Sequence, residues 1–209
     1  PKQKYYSRID LYTLYGIIRL VFRKGDTSMN VTEAIKKRRS IRKFKQIPVK
    51  HEDLLTIIDS ARYAAYGANM QPLKFAIMEN ADEVYPLTRW AGYLPDWNPA
   101  EDERPLAYIA VLGDTGLRKE FGADAGAAVT NMMLTAEELG LATCWLGAID
   151  KEKLREMLNT DYPVLYLLAV GYPAQESKVT DIKDGSIKYY EDENGVINVP
   201  KRSLEDIML

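Results

Sequence analysis

The run from Ala123 to Leu139, ADAGAAVTNMMLTAEEL, places the strongest constraint on what this chain can fold into. It opens on small residues at Ala123, Ala125, Gly126, Ala127 and Ala128, then continues through Met132, Met133 and Leu134. Apolar side chains fall nearly all round it at helical spacing, which marks a helix buried on most faces. Such a helix needs other layers to cover it. Phe75 to Met78, Leu106 to Gly113, Leu141 to Leu146 and Val164 to Val170 read as short strands, the last closed by Gly171-Tyr172-Pro173. His51 to Ala65 predicts an amphipathic helix, with Leu54, Leu55, Ile57, Ile58 and Ala61 on one face. Shorter helices are expected over Val31 to Lys37 and Lys151 to Leu158, and an extended segment over Ile41 to Phe44. Tyr66 to Pro72 and the proline-rich Tyr93 to Pro105 read as loops, the second a lid. Helices alternating irregularly with four short strands predict an α+β sheet wrapped by helices.

A chain of 209 residues can bury a sizeable core, and its 46% apolar and 28% charged residues are an ordinary soluble globular balance. A net charge of −2 gives no electrostatic case for nucleic acid as the main partner. Cys144 is the one cysteine, which excludes an intramolecular disulfide or a Cys-based zinc cage and makes a reducing, cytoplasmic setting the default. It lies in an expected buried strand and reads as structural, as Met132 and Met133 read as packing. The one histidine, His51, precedes an apolar-periodic run and reads as a solvent-facing helix start. The usual nucleophile–base pairs therefore lack members. If the chain is an enzyme, its hard chemistry belongs to a cofactor.

The first 28 residues read as an extension on a domain spanning 29 to 209. Ile9 to Phe22 is apolar but interrupted by Asp10 and Arg19, and falls short of the about 20 residues that span a bilayer. Helical spacing of Leu11, Leu14, Ile17, Ile18 and Val21 predicts an amphipathic helix docked on the body, with membrane-surface contact as the sharper alternative. At the other end, the segment after Ser177 is polar until Val199 to Ile207, a regular ending expected to dock.

The cluster Arg38-Arg39-Ser40-Ile41-Arg42 closes a helix and enters an extended segment. Guanidinium groups bind oxyanions bidentately, so Arg38 and Arg42 can converge on a phosphate or an anionic ring edge. The bland alternative is a solvated charged face at a helix C-terminus, where cations are favourable anyway. Residues Arg38 to Phe44 resemble the opening signature of the FMN-dependent nitroreductase family. Four more segments resemble that family in the same order: Ala64 to Phe75, its flavin-side loop; Asp124 to Leu141, its central helix; Cys144-Trp145-Leu146-Gly147, its second flavin loop, followed by Gly171-Tyr172-Pro173; and the closing Lys201 to Ile207.

The resemblance implies a mainly antiparallel central sheet wrapped by helices, in an intertwined homodimer. It implies that Arg38, Arg39 and Ser40 hold the FMN phosphate and ribityl end, with Arg42 at the pyrimidine edge. It places Tyr66, Gly67, Asn69 and Gln71 on the cofactor from the flavin-side loop, across a dimer interface. Trp145, Leu146 and Gly147 would pass beside the isoalloxazine, and Lys201 or Arg202 would complete the phosphate site. Trp90, Tyr93 and Trp97 would either roof an aromatic substrate or simply pack a long loop, and Arg104 would approach the flavin edge. The sequence departs from the family where Pro-Ser is Ala65-Tyr66, which puts one hydroxyl contact in doubt, and where the tryptophan after Gln71-Pro72 is Leu73. The implied activity is FMN-dependent reduction of nitroaromatic, quinone or related planar acceptors by NADH or NADPH, by ping-pong hydride transfer through flavin N5. Reductive dehalogenation or flavin fragmentation on the same scaffold, and a flavin-binding module without turnover, are the rival expectations.

Overall fold

The computed structural model describes residues 29–94, 97–182 and 184–209. The expected N-terminal helix over Ile9 to Phe22, and with it the question of an extension, lies outside the described residues. Among those described, no helix is long and apolar enough to cross a membrane.

The frame is a four-stranded antiparallel sheet built from β1 (Leu73–Met78), β2 (Ala107–Gly113), β3 (Ala142–Leu146) and β4 (Val164–Gly171), in the order β1-β2-β4-β3. β2 is buried at every position, because both sheet faces are covered. Its odd residues Ala107, Ile109 and Val111 join Leu168 and Val170 of β4 on one face. Its even residues Tyr108, Ala110 and Leu112 join Leu167 and Ala169 on the other. Each fully buried Ile, Leu or Val side chain contributes about 1.5–3 kcal/mol, so the period-2 alternation locks the register.

The first face is covered by α2 (His51–Ala61), through Leu54, Ile57 and Ala61, and by α4 (Gly122–Glu138). α4 buries Ala125, Ala128, Val129, Met132, Met133 and Ala136, a stripe at helical spacing. Burial on most faces is not reached in the single chain, since Gly126, Ala127 and Leu134 stay half-buried and Thr130 is exposed. α1 (Val31–Lys37) leans on α4, with a Lys37–Glu137 ion pair at 3.4 Å. The second face is covered by Ile41, Phe44, Trp90, α3 (Ala81–Val84) and Leu154 of α5 (Lys151–Met157).

Beyond β4 the chain forms a second sheet, in the order β5-β7-β6, from β5 (Ser177–Asp181), β6 (Tyr190–Glu191) and β7 (Ile197–Lys201). This sheet departs from the expectation of a polar tail. Only the start of β7 docks, with Ile197 and Asn198 buried; Leu204, Ile207 and Met208 beyond it are exposed, because nothing in the single chain covers them.

Candidate functional site

The basic cluster runs along the outer edge of β3. Ser40 bridges Thr143 in parallel, and Ile41 N donates to Thr143 O at 3.0 Å, so the segment continues the sheet. Extended backbone points successive side chains to opposite sides, which sends Ile41 into the core and leaves its neighbours outside. Further on, Phe44 pairs with Pro173 and its N–H donates to Glu103 O at 2.8 Å.

Arg42 is held from both side chain and backbone. Its Nε donates to Trp90 O at 2.8 Å and its Nη1 to Ser40 O at 3.4 Å, while its own N–H donates to Gln175 Oε1 at 3.1 Å. The Tyr189 ring lies 4.7 Å from its guanidinium carbon. Burial pushes the Cys144 thiol up in pKa, and Arg42 and Arg38 oppose that rise. Neither pairs with a carboxylate among the described residues. Two arginines next to a segment that continues the strand edge, with Ser40 between them in sequence, suit an anionic ligand.

Arg39 behaves differently. Its guanidinium turns back to the carbonyls of Lys36 and Arg38, where the end of α1 leaves oxygens without helical donors. Burial lowers its pKa, Arg38 lowers it further, and Glu137 opposes both. In the single chain Arg39 thus caps the end of α1.

The expected flavin-side loop precedes β1, at the opposite edge of the sheet. Gly67–Asn69 form a 3-10 turn, and Ala68, Asn69 and Gln71 all take left-handed backbone, with φ of 50°, 53° and 48°. Left-handed backbone costs a residue with a Cβ about 1–2 kcal/mol, so neighbouring structure must impose it. Gly67 N donates to Asp124 Oδ1 at 3.0 Å, and Asp114 N donates to Pro72 O at 2.7 Å. Tyr66 spends its hydroxyl on Ala61 O at 2.9 Å, and its pKa is raised by burial and then by Asp124. The hydroxyl lost with the family's serine is therefore not replaced by Tyr66, whose oxygen faces α2. Gly67, Asn69 and Gln71 remain exposed at the loop surface.

Trp145 and Leu146 end β3, Leu146 pointing into the core and Trp145 to the other face, edge-on to Tyr166 at 5.1 Å. Gly147 follows, exposed. The register puts Leu73, Gly113 and Leu146 at the same end of the sheet, but β1 and β3 are three strand steps apart, about 14 Å at the usual spacing. One chain therefore does not bring the loop against the basic cluster. Lys201 and Arg202 are exposed at the end of β7 away from Gln175, and they do not join the cluster within this chain either.

The lid residues divide. The Trp90 ring is 4% exposed and stacks on Tyr85 at 6.0 Å, so it packs the core and does not roof a ligand. Arg104 lies 4.0 Å over the same Tyr85 ring. Tyr93 is exposed and packs on Tyr189 at 5.1 Å, and Trp97 Nε1 donates to Glu191 Oε2 at 3.1 Å. Tyr189 escaped the sequence reading. Its hydroxyl accepts from Gly92 N at 2.8 Å and its ring covers Arg42, but a tyrosine in a polar stretch carries no periodic signal.

The Nitroreductase family matches over residues 35–111 and 103–172. A protein of Methanothermobacter thermautotrophicus, assigned as an NADH dehydrogenase/NAD(P)H nitroreductase, is 29% identical over 167 residues, 76% of this chain and 85% of its own length. The FMN reductase (NADPH) of Bacillus subtilis is 29% identical over 168 residues, 71% of this chain and 68% of that protein. A structure from Desulfovibrio desulfuricans, assigned as a nitroreductase in complex with FMN, matches with a TM-score of 0.64 at 27% identity, covering 88% of this chain and 97% of that one. The motifs, the antiparallel sheet and these matches lead to one statement: the chain belongs to the nitroreductase family.

Proposed function

We propose that the protein is an FMN-dependent NAD(P)H oxidoreductase that reduces nitroaromatic, quinone or related planar acceptors, working as a homodimer. The observation that carries this reading is Arg42, a cation fixed by Trp90 O and Ser40 O with no carboxylate partner among the described residues. A flavin accumulates negative charge at its pyrimidine edge on reduction, and a preorganised cation there stabilises that charge without reorganising. Arg38 and Ser40 supply donors for a phosphate of nearly two negative charges, and Lys201 or Arg202 joins them when a second chain brings the tail into reach.

Bound FMN supplies the hydride chemistry between NAD(P)H and the acceptor. The chain's own residues seat the cofactor, keep one ring face open for stacked substrates and exclude water. No protein acid is needed for hydride transfer, in keeping with a single exposed histidine, His51, and a buried cysteine. Reductant and acceptor use the same face in turn, a ping-pong sequence. Homodimerisation is supported by the loop and basic cluster lying at opposite sheet edges, and by exposed Val31, Ile35, Leu204, Ile207 and Met208. The working domain is residues 29–209, with 1–28 as an appendage.

Purified protein is expected to be yellow with a flavin spectrum and to bleach with NADH or NADPH under anaerobic conditions. Changing Arg38 and Arg42 together to Ala should remove the flavin through gel filtration. A colourless protein that cannot be reconstituted with FMN would sink the reading, and unchanged flavin occupancy in the double variant would reject the two arginines.

A further inference from the structure

The central helix motif contributes a carboxylate to which neither the fold nor the proposed chemistry gives a part. Asp124 sits in the first turn of α4 and is 2% exposed, unusual burial for an acid. A buried carboxylate needs partners, and this one has two. Its Oδ1 accepts from Gly67 N at 3.0 Å, and its Oδ2 lies 3.4 Å from Arg118 Nη1. The first-turn position adds the favourable field of the helix N-terminus. Arg118 covers the contact so closely that a Cβ placed on Gly67 would stand 2.6 Å from Arg118 Nη1. The loop beyond is anchored again where Asp114 N meets Pro72 O at 2.7 Å. Between the two anchors lie the three left-handed residues Ala68, Asn69 and Gln71.

We propose that Asp124 is a positioning residue for the flavin-side loop, and that with Arg118 it holds Gly67 so that Asn69 is presented to the cofactor in a conformation the loop would not keep unaided. The inference rests on the flavin reading above for its functional consequence, but the clamp itself belongs to the apoprotein. Gly67 enters the loop, so releasing its N–H leaves the residues up to the Pro72 anchor held only by the turn's own bonds, Asn69 N to Tyr66 O at 3.0 Å and Met70 N to Gly67 O at 3.1 Å. The carboxylate works through this amide and does not touch the cofactor.

The test compares Asp124→Ala, Asp124→Asn and Arg118→Met in the full chain. Hydrogen exchange of the apoproteins is followed at residues 66–71 and, as a reference, in β2 and the middle of α4. FMN dissociation constants are then measured by fluorescence titration. Loss of a hydrogen bond to a charged acceptor corresponds to about a 10- to 100-fold effect. Asp124→Ala should speed exchange selectively in the loop and weaken FMN binding by about that factor, with Asp124→Asn, which keeps an acceptor for Gly67 N, recovering most of both. Arg118→Met should fall between. Equal acceleration in loop, β2 and α4 would mean a merely structural acid and would overturn the proposal, as would FMN affinity within twofold of wild type in Asp124→Ala. If Asp124→Ala does not fold, Arg118→Met decides it: loop exchange unchanged in that variant overturns the proposal. If wild-type protein binds no FMN, the functional reading fails, while the exchange comparison still decides whether Asp124 holds the loop.

Discussion

Gly171, the last residue of β4, shows how tightly single positions are set near the basic cluster. A Cβ there would stand 2.8 Å from Phe44 Cδ1 and 3.3 Å from Phe44 Cβ. Phe44 is fully buried and cannot swing clear, since its backbone is tied to Glu103 and Pro173. Gly171→Ala should therefore destabilise the protein by about 1–3 kcal/mol, the usual cost of overpacking, read from the denaturant midpoint. An unchanged midpoint would show that Phe44 can yield. Arg39 is a second lesson at this scale. Three arginines in five residues are equivalent as letters, and only the unsatisfied carbonyls at the end of α1 decide that this one caps a helix.

At the scale of elements, the β6–β7 connection is organised by one carboxylate. Asp192 accepts from Asn198 Nδ2 at 2.9 Å, from the N–H groups of Asn194 and Val196 at 3.1 Å each, and from Lys178 Nζ at 3.3 Å. The Asn198 hydrogen bond is the largest cause of a pKa lowered from 3.8 to about 2; burial, the next largest, opposes it, and the Val196, Lys178 and Asn194 contacts add to the lowering. A depressed carboxylate contributes order that is complete above its unfolded value and lost as pH falls through its folded one. The amide shifts of Asn194 and Val196 should titrate with a midpoint near 2, and a midpoint near 3.8 would deny the network. Elements of this kind were the hardest to read from sequence. The core strands and α1, α4 and α5 follow from apolar periodicity to within two residues. By contrast α2 stops at Ala61 where the pattern runs on to Ala65, because the backbone tightens to three-residue bonds from Arg62 to Ala64, and the Ala61 carbonyl accepts from Ala64 N and the Tyr66 hydroxyl. β5 to β7 stayed hidden because β5 is largely exposed and its parallel partner lies some 20 residues along the chain, beyond any local pattern. The family was legible from ordered motifs, whereas Asp124, Arg118 and Tyr189 make contacts that no spacing announces.

At the scale of the whole molecule, the decisive fact is that the loop and the basic cluster occupy opposite sheet edges. If each flavin site takes the cluster from one chain and the loop from the other, two defective proteins can rescue each other. Mixing an Arg38→Ala/Arg42→Ala chain with a chain whose Asn69 and Gln71 are changed to Ala, after unfolding and refolding together, should restore one intact site per heterodimer. Flavin content near half of the wild-type level in the isolated heterodimer is the expected result. A heterodimer that retains no more flavin than its parents would place the whole site within one chain.

The sealed thiol of β3 bears on chemical survival. Quinones and the partly reduced products of nitro compounds are electrophiles, and thiolates attack them faster than any other side chain does. A catalyst working among such molecules risks alkylation by its own turnover. Here the one sulfhydryl of the chain is 2% exposed, and burial holds its pKa up, so the reactive anion is both scarce and out of reach. If the proposed acceptors are the substrates, packing this cysteine into the core withdraws the side chain that would react with their products fastest, and durability follows in part from the placement of a single sulfur.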